Sequence, residues 1–219
     1  MNSAVVTTLW TRPQAEAVEQ FAAKELQRYL KQMLEQEVVL RPSPQPAAFP
    51  SIYLGLDAGA PPVTWPHFPD KPSLDGYILR GTQRGAALQA PTPRGLLYAA
   101  YGLLKHLGVR WFFPGPTGEV VPRLQKLDVA GLDVTTAPAV AQRGVLIRGT
   151  DRLFPEWVDF APKIGLNAFA LEVHQGIHRL PAMAAGRGLH LRLRRHFFST
   201  TFCSQDERTL RWQETLMQG

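Results

Sequence analysis

One cysteine, Cys203, occurs in the whole sequence, so no internal disulfide can form and no Cys-x-x-Cys metal or redox spacing exists. No run approaches the ~18 consecutive apolar residues of a membrane span. Met1 to Trp10 has neither the basic start nor the apolar core of a signal peptide, so the chain as written is expected to be soluble and cytoplasmic. Phosphate loops are missing too: neither Gly-x-Gly-x-x-Gly nor Gly-Lys-Ser/Thr occurs. Nothing calls for a cofactor, a membrane or a nucleotide.

What is present is ordinary globular composition. The 219 residues are 45% hydrophobic, enough to build a core. The net charge of +6 is uneven: residues 1–140 hold 13 basic and 11 acidic groups, residues 141–219 hold 11 and 7, so most of the excess sits in the last third.

The first half reads as two amphipathic helices among short strands. Val5 to Trp10 is β-rich, and Thr11-Arg12-Pro13-Gln14 offers a capping hydroxyl and an early proline for a helix over Pro13 to Leu34. Phe21, Ala22, Leu26, Tyr29, Leu30 and Met33 recur at helical spacing along it. Val38 to Leu40 and Ile52 to Gly55 read as strands. Residues 42–72, holding nine of the 19 prolines, read as irregular surface. Residues 75–90 have the pattern of a hairpin turning at Gln83-Arg84-Gly85. A second helix is capped by Thr92, has Pro93 at its first position and stops at Gly108. Val109 to Phe113 and Leu124 to Val129 read as strands, and Thr135 to Pro138 as a linker. Because hairpins outnumber βαβ units in this order, the expected fold class is α+β, a mostly antiparallel sheet with two helices on a face.

The rhythm then changes. Gly144 to Ile147, Trp157 to Ile164, Asn167 to Val173, Ile177 to Ala185 and Leu189 to Leu193 read as β-α-β-α-β, the opening of a (β/α) barrel. Two domains are expected: 1–138, and 139–219 as an incomplete barrel. Phe197 to Gly219 has no amphipathic period, so the barrel pattern breaks off there, as after a premature stop or a frame change.

Leu96 to Gly115, continuing to Gly118-Glu119-Val120-Val121-Pro122, resembles the end of the N-terminal domain of α-glucuronidases and β-hexosaminidases. The shared features are a Gly-x-x-Tyr helix, the Leu107-Gly108-Val109-Arg110-Trp111-Phe112 strand, and a Pro-Gly to Gly-Glu-x-x-Pro loop. Ala22 to Leu30 and Asp75-Gly76-Tyr77 fit the same pattern. The resemblance implies a non-catalytic domain packed beside a (β/α)₈ barrel that performs the sugar chemistry. Arg143-Gly144 is similar to the Arg-Gly pair opening the hexosaminidase barrel, which implies that Arg143 contacts sugar hydroxyls or a carboxylate; Arg148 departs from the Asp that pattern has. Lys163 to Asn167 is similar to the α-glucuronidase barrel.

Glycoside hydrolysis needs two carboxylates about 5–9.5 Å apart at the C-terminal ends of barrel strands, and the related families draw both from later strands. No residue here is assigned as catalytic. Asp151 reads as a helix cap or a solvated acid. Glu172 and His174 alternate to one side of a strand and are candidates, with Arg143, for substrate binding. His174-x-x-x-His178 has metal-ligand spacing, but Gly176 interrupts it and a third ligand is missing, so no metal is expected. Glu119 reads as an interface hydrogen-bonding group. The basic run Arg187 to His196 alternates with leucines like a half-solvated strand and lacks the aromatic interleaving of a nucleic-acid surface. The expected function is thus the accessory part of a carbohydrate-active glycoside hydrolase, meeting carbohydrate through the complete barrel and inactive alone. The alternative is a non-enzymatic carbohydrate-binding or interaction module whose exposed barrel strands meet a partner chain.

Overall fold

The computed structural model describes residues 7–42, 51–56, 67–68, 71–72, 74–83, 85–147, 154–172 and 180–194. In chain order these form β1 (Thr7–Thr11), α1 (Ala17–Leu34), β2 (Val38–Pro42), β3 (Ser51–Leu56), β4 (His67–Phe68), β5 (Lys71–Pro72), β6 (Tyr77–Thr82), β7 (Gly85–Ala90) and α2 (Pro93–His106). There follow β8 (Arg110–Trp111), β9 (Glu119–Val120), β10 (Asp133–Thr136), β11 (Gly144–Ile147), α3 (Phe154–Lys163), β12 (Ala168–Glu172), α4 (Leu180–Gly186) and β13 (His190–Arg194).

Six strands make the main sheet, in the order β10-β6-β7-β3-β1-β2. The pairs β2/β1, β1/β3 and β3/β7 are parallel, and β7/β6 and β6/β10 antiparallel. The sheet is therefore mostly parallel, not mostly antiparallel as expected. The reason is that β2 and β3, neighbours in sequence, do not pair: α1 carries the chain over the sheet, and β2 and β3 settle on opposite sides of β1. Leu9 pairs with Leu40 on one side and Ile52 on the other, so β1 has a strand on each flank and β2 forms the sheet edge. The 75–90 hairpin forms as expected. Leu124 to Val129 is not a strand; the edge strand β10 begins four residues later, taking up part of the expected linker and pairing Val134 with Leu79.

Helices α1 and α2 pack against each other and the sheet through one apolar cluster that includes Leu26, Tyr29, Met33, Ile52, Leu88, Leu97 and Leu104. The start of α1 differs from the sequence expectation. Thr11 is spent in β1, and the helix opens at Ala17, where the Glu19 carboxylate accepts from the Glu16 N–H at 2.8 Å and from Arg12 Nε at 2.7 Å. The start of α2 follows expectation, Thr92 Oγ1 accepting from the Gly95 N–H at 3.0 Å, and Gly108, at φ +99°, follows its end.

The chain after residue 143 forms a second, three-stranded sheet, β11-β12-β13, with every pair parallel and in sequence order. Val145, Ile147, Phe169 and Leu191 turn toward α3 and α4, meeting Phe154, Val158 and Ala161 in a second cluster. Pro162 lies in the last turn of α3, and the left-handed Gly165 (φ +83°) follows its end. Trp157 packs against both clusters, so the two apolar regions meet across α3. No described helix is long and apolar enough to cross a membrane.

Candidate functional site

Two polar networks lie where the sheets meet. The first centres on Asp75, in the turn before β6, whose side chain is 4% exposed. Its Oδ1 accepts from Arg94 Nε at 2.6 Å, and its Oδ2 from Arg143 Nη2 and Asn167 Nδ2, each at 2.8 Å. Burial opposes the charge on this carboxyl, but the hydrogen bonds from Arg143 and Arg94 outweigh it and hold the group below the usual carboxylate range. Arg143 also donates to the carbonyls of Gly165 (2.7 Å) and Val140 (2.8 Å), and Asn167 Oδ1 accepts the Arg143 N–H at 2.8 Å. Arg94 donates to the Gly188 carbonyl and lies 3.1 Å from His190 Nε2. A guanidinium only donates, so this contact requires that ring nitrogen to be the acceptor. One carboxylate thus ties the β6 turn and α2 to the starts of β11, β12 and β13.

The second network centres on Lys163, at the end of α3 and 5% exposed, whose Nζ lies 2.6 Å from both Glu119 Oε1 and Asp159 Oδ2. Glu119 Oε1 also accepts from Tyr29 Oη (2.7 Å), which accepts from Trp111 Nε1 (2.7 Å). Arg187 Nη2 donates to Asp159 at 2.7 Å. Loss of water around Lys163 works against its charge, but the facing Asp159 and Glu119 more than compensate and raise its pKa. Tyr29 is pushed up to about 12, first by burial and then by donating to Glu119. Burial opposes ionisation of Asp159 as well, and Lys163 and Arg187 keep it low. A cleft of about 400 Å³ opens beside this network, with Arg28, Glu156 and Arg187 on its walls.

Of the three substrate-binding candidates, Arg143 lies immediately before β11 and Glu172 closes β12; His174 lies outside the described residues, as do Asp151 and His178. Arg143 is level with Asn167, five residues before Glu172, so at ~3.3 Å per residue the two stand roughly 16 Å apart along the strands. The structure does not bring them together. Among the described residues Glu172 is the only acid at the C-terminal ends of β11–β13, and no cluster of three metal-ligating side chains forms.

Sequence reasoning found Glu119 as an interface group but missed its partner Lys163, and missed Asp75 as a buried acid. The signals were visible: Asp75-Gly76-Tyr77, the Gly118-Glu119 loop and the Lys163 to Asn167 segment all belong to the motifs that carried the resemblance. The most specific motif is therefore a set of contacts between the two sheets. Gly118 shows this sterically, since a Cβ there would lie 2.0 Å from the Phe113 carbonyl oxygen and spread the loop that presents Glu119.

The fold is a structural match to the N-terminal domain region of GH115 α-glucuronidase and GH20 β-hexosaminidases over about 85% of this chain. Three solved structures illustrate it. A GH115 4-O-methyl-α-glucuronidase with specificity for decorated arabinogalactans is similar over 85% of this chain and 28% of its own, at 13% identity and a TM-score of 0.64. A mutant Streptomyces plicatus β-hexosaminidase in complex with GlcNAc is similar over 84% and 40%, at 16% identity and a TM-score of 0.58. A GH138 enzyme targeting pectin rhamnogalacturonan II is similar over 84% and 24%, at 14% identity and a TM-score of 0.56. The likeness at these identities is one of fold, and the chain spans less than half the length of each. No family model matches the sequence, and no curated protein does.

Proposed function

We propose that this chain carries the accessory domain of a glycoside hydrolase, residues 1–138, joined to the opening strands of its catalytic barrel, residues 139–219. The observation that carries this reading is the position of the Asp75 clamp. It grips β11–β13 at their N-terminal ends, the stabilising end of a barrel, and leaves free the C-terminal ends where barrel enzymes place their chemistry. On this reading the accessory domain orients the barrel and does not touch sugar. Glu172, which closes β12, belongs to the carbohydrate-facing end, and His174 stays, on the sequence alone, a candidate for substrate binding. Arg143, bonded to Asp75 and two backbone carbonyls, acts as a clamp residue, and the sugar contact implied by its sequence resemblance is not its role.

Three strands cannot close a barrel or set two carboxylates across a glycosidic bond, so residues 1–219 alone do not hydrolyse glycosides. Assay of purified 1–219 on aryl glucuronides and aryl hexosaminides tests this; release equals that of a mock preparation, and turnover above it overturns the proposal. The helix-free face of the second sheet favours a second reading. Leu146 is 38% exposed there, as expected of a surface that a partner chain covers. A compact monomer in size-exclusion chromatography removes that reading.

A further inference from the structure

A second cleft, of about 240 Å³, lies on the opposite side of α3's end, between α2 and the segment joining β10 to β11. The Tyr77 ring, Pro138, Pro162 and Ile164 give it apolar walls, and Asp75, Lys105, Arg143 and Lys163 line it as well. The volume is below the ~300–1,000 Å³ of pockets that take drug-sized ligands, so the cleft admits a single ring.

The charges are uneven. Asp75 on its rim is held by two arginines, and Lys163 by two carboxylates. Lys105 has no acidic or hydrogen-bonding side-chain partner among the described residues, and its own carbonyl is already taken by Arg110 Nη1 at 2.7 Å. Lys105 is exposed, and partial burial of its stem together with Arg110 lowers its pKa. The Tyr77 hydroxyl has no partner among the described residues either.

Gly102 makes the space. A Cβ at that position would lie 2.6 Å from Tyr77 Oη and 2.9 Å from two carbons of its ring, so only glycine lets the phenol lie across α2 at this point. Alanine would suit the helix better and would displace the ring. Gly102 thus costs helix propensity and leaves room for the Tyr77 phenol on the wall of the cleft that Lys105 also lines, neither group having a side-chain partner among the described residues.

We propose that this cleft binds a small carboxylate with a ring-sized apolar body, the carboxylate meeting Lys105 and the Tyr77 hydroxyl and the ring lying against Pro138, Pro162 and Ile164. Such a ligand supplies a counter-charge to Lys105 and sits between α2 on one wall and the end of α3 on the other. The inference stands independently of any glycosidase role, since nothing in it requires a barrel.

Benzoate, titrated into the full 219-residue chain and followed by heteronuclear NMR, is the test. Saturable shifts are expected at the backbone amides of Tyr77, Gly102, Lys105 and Ile164, together with a raised Lys105 pKa, read as slower reaction with an amine-modifying reagent. Lys105→Met is expected to weaken binding at least tenfold, and Tyr77→Phe severalfold. Benzylamine, of the same size and opposite charge, is expected to leave these resonances unmoved. Gly102→Ala, if it folds, should abolish binding by moving the ring; if it does not fold, the Lys105 and Tyr77 variants decide alone. Equal benzoate affinity in wild type and Lys105→Met, equal shifts with benzylamine, or no saturable shift at the cleft overturns the proposal.

Discussion

Replacing Asp75 by Asn isolates the clamp with almost no change of shape. The carboxylate accepts from three donors, two of them guanidinium groups whose side chains are each 19% exposed. An amide retains one acceptor oxygen and turns an N–H₂ toward a group that can only donate, so one arginine loses its hydrogen bond and both lose their counter-charge. Removing one partner of a buried ion pair costs about 3–5 kcal/mol, and the residual exposure of the arginines brings the figure to the lower end, roughly 3 kcal/mol. For a chain of this length that corresponds to a fall in Tm of roughly 6–12 °C. Thermal unfolding by circular dichroism measures it, and hydrogen exchange places it: faster exchange is expected at the starts of β11 and β12, with little change within α1. Asp133→Asn is the control, because its pair with Arg80 is more than half exposed on both sides and is worth about 0–1 kcal/mol. A melting point within about 2 °C of wild type for Asp75→Asn, with exchange unchanged at β11, would refute the idea that this carboxylate fastens the two sheets.

The same chemistry sets the pH limits. The folded Asp75 pKa is depressed, so its contribution is present above the unfolded value of about 3.9 and lost as pH falls through the folded one; loosening of the seam is expected only in strong acid, read by exchange at Asn167. Lys163 and Tyr29 are both raised, so their contributions hold below about pH 10 and fade above it. Tyr29, Tyr77, Tyr98 and Tyr101 all lie above the ordinary phenol value, so native protein at about pH 10.5 should show tyrosinate absorbance well below that of the unfolded chain, and equal absorbance with native dichroism contradicts the burial of these phenols. Tyr29→Phe leaves Trp111 Nε1 without its acceptor and Glu119 without one donor, and should cost about 1–3 kcal/mol in denaturant unfolding; no loss means that water replaces the hydroxyl. Gly118→Ala should destabilise more than Gly186→Ala, where a new methyl meets nothing within 4 Å; the reverse order in melting temperature is inconsistent with the tight loop.

Much of the architecture was legible because apolar spacing reports burial directly. The stripe through Leu26, Leu30 and Met33, the Thr92-Pro93 start of α2 and the whole β-α-β-α-β order after residue 143 follow from it. Strand pairing was less legible, because alternation says which face a residue occupies and nothing about which strand lies beside it. β2 and β3 are consecutive in sequence and are separated by β1 in the sheet. Leu124 to Val129 has a strand-like composition, yet Leu124, Leu127 and Val129 cover the core from an irregular segment. The polar seam was half legible for a related reason. Glu119 and Arg143 stood out locally, but their partners lie 44 and 68 residues away, and no local pattern encodes such a distance.

The spacing of those partners bears on how the molecule is made. During synthesis the main sheet can form around β1, with β2 on one side and β3, β7 and β6 on the other, well before Arg143 has been translated. Through that interval Asp75 has only Arg94, and Tyr29 waits for Glu119, 90 residues downstream. The early part of the chain can be compact yet carries charges awaiting companions, and it settles only when α3 and β12 arrive. The two sheets are therefore expected to behave as one cooperative unit on the ribosome, the later one completing the earlier, and not as two beads maturing in sequence.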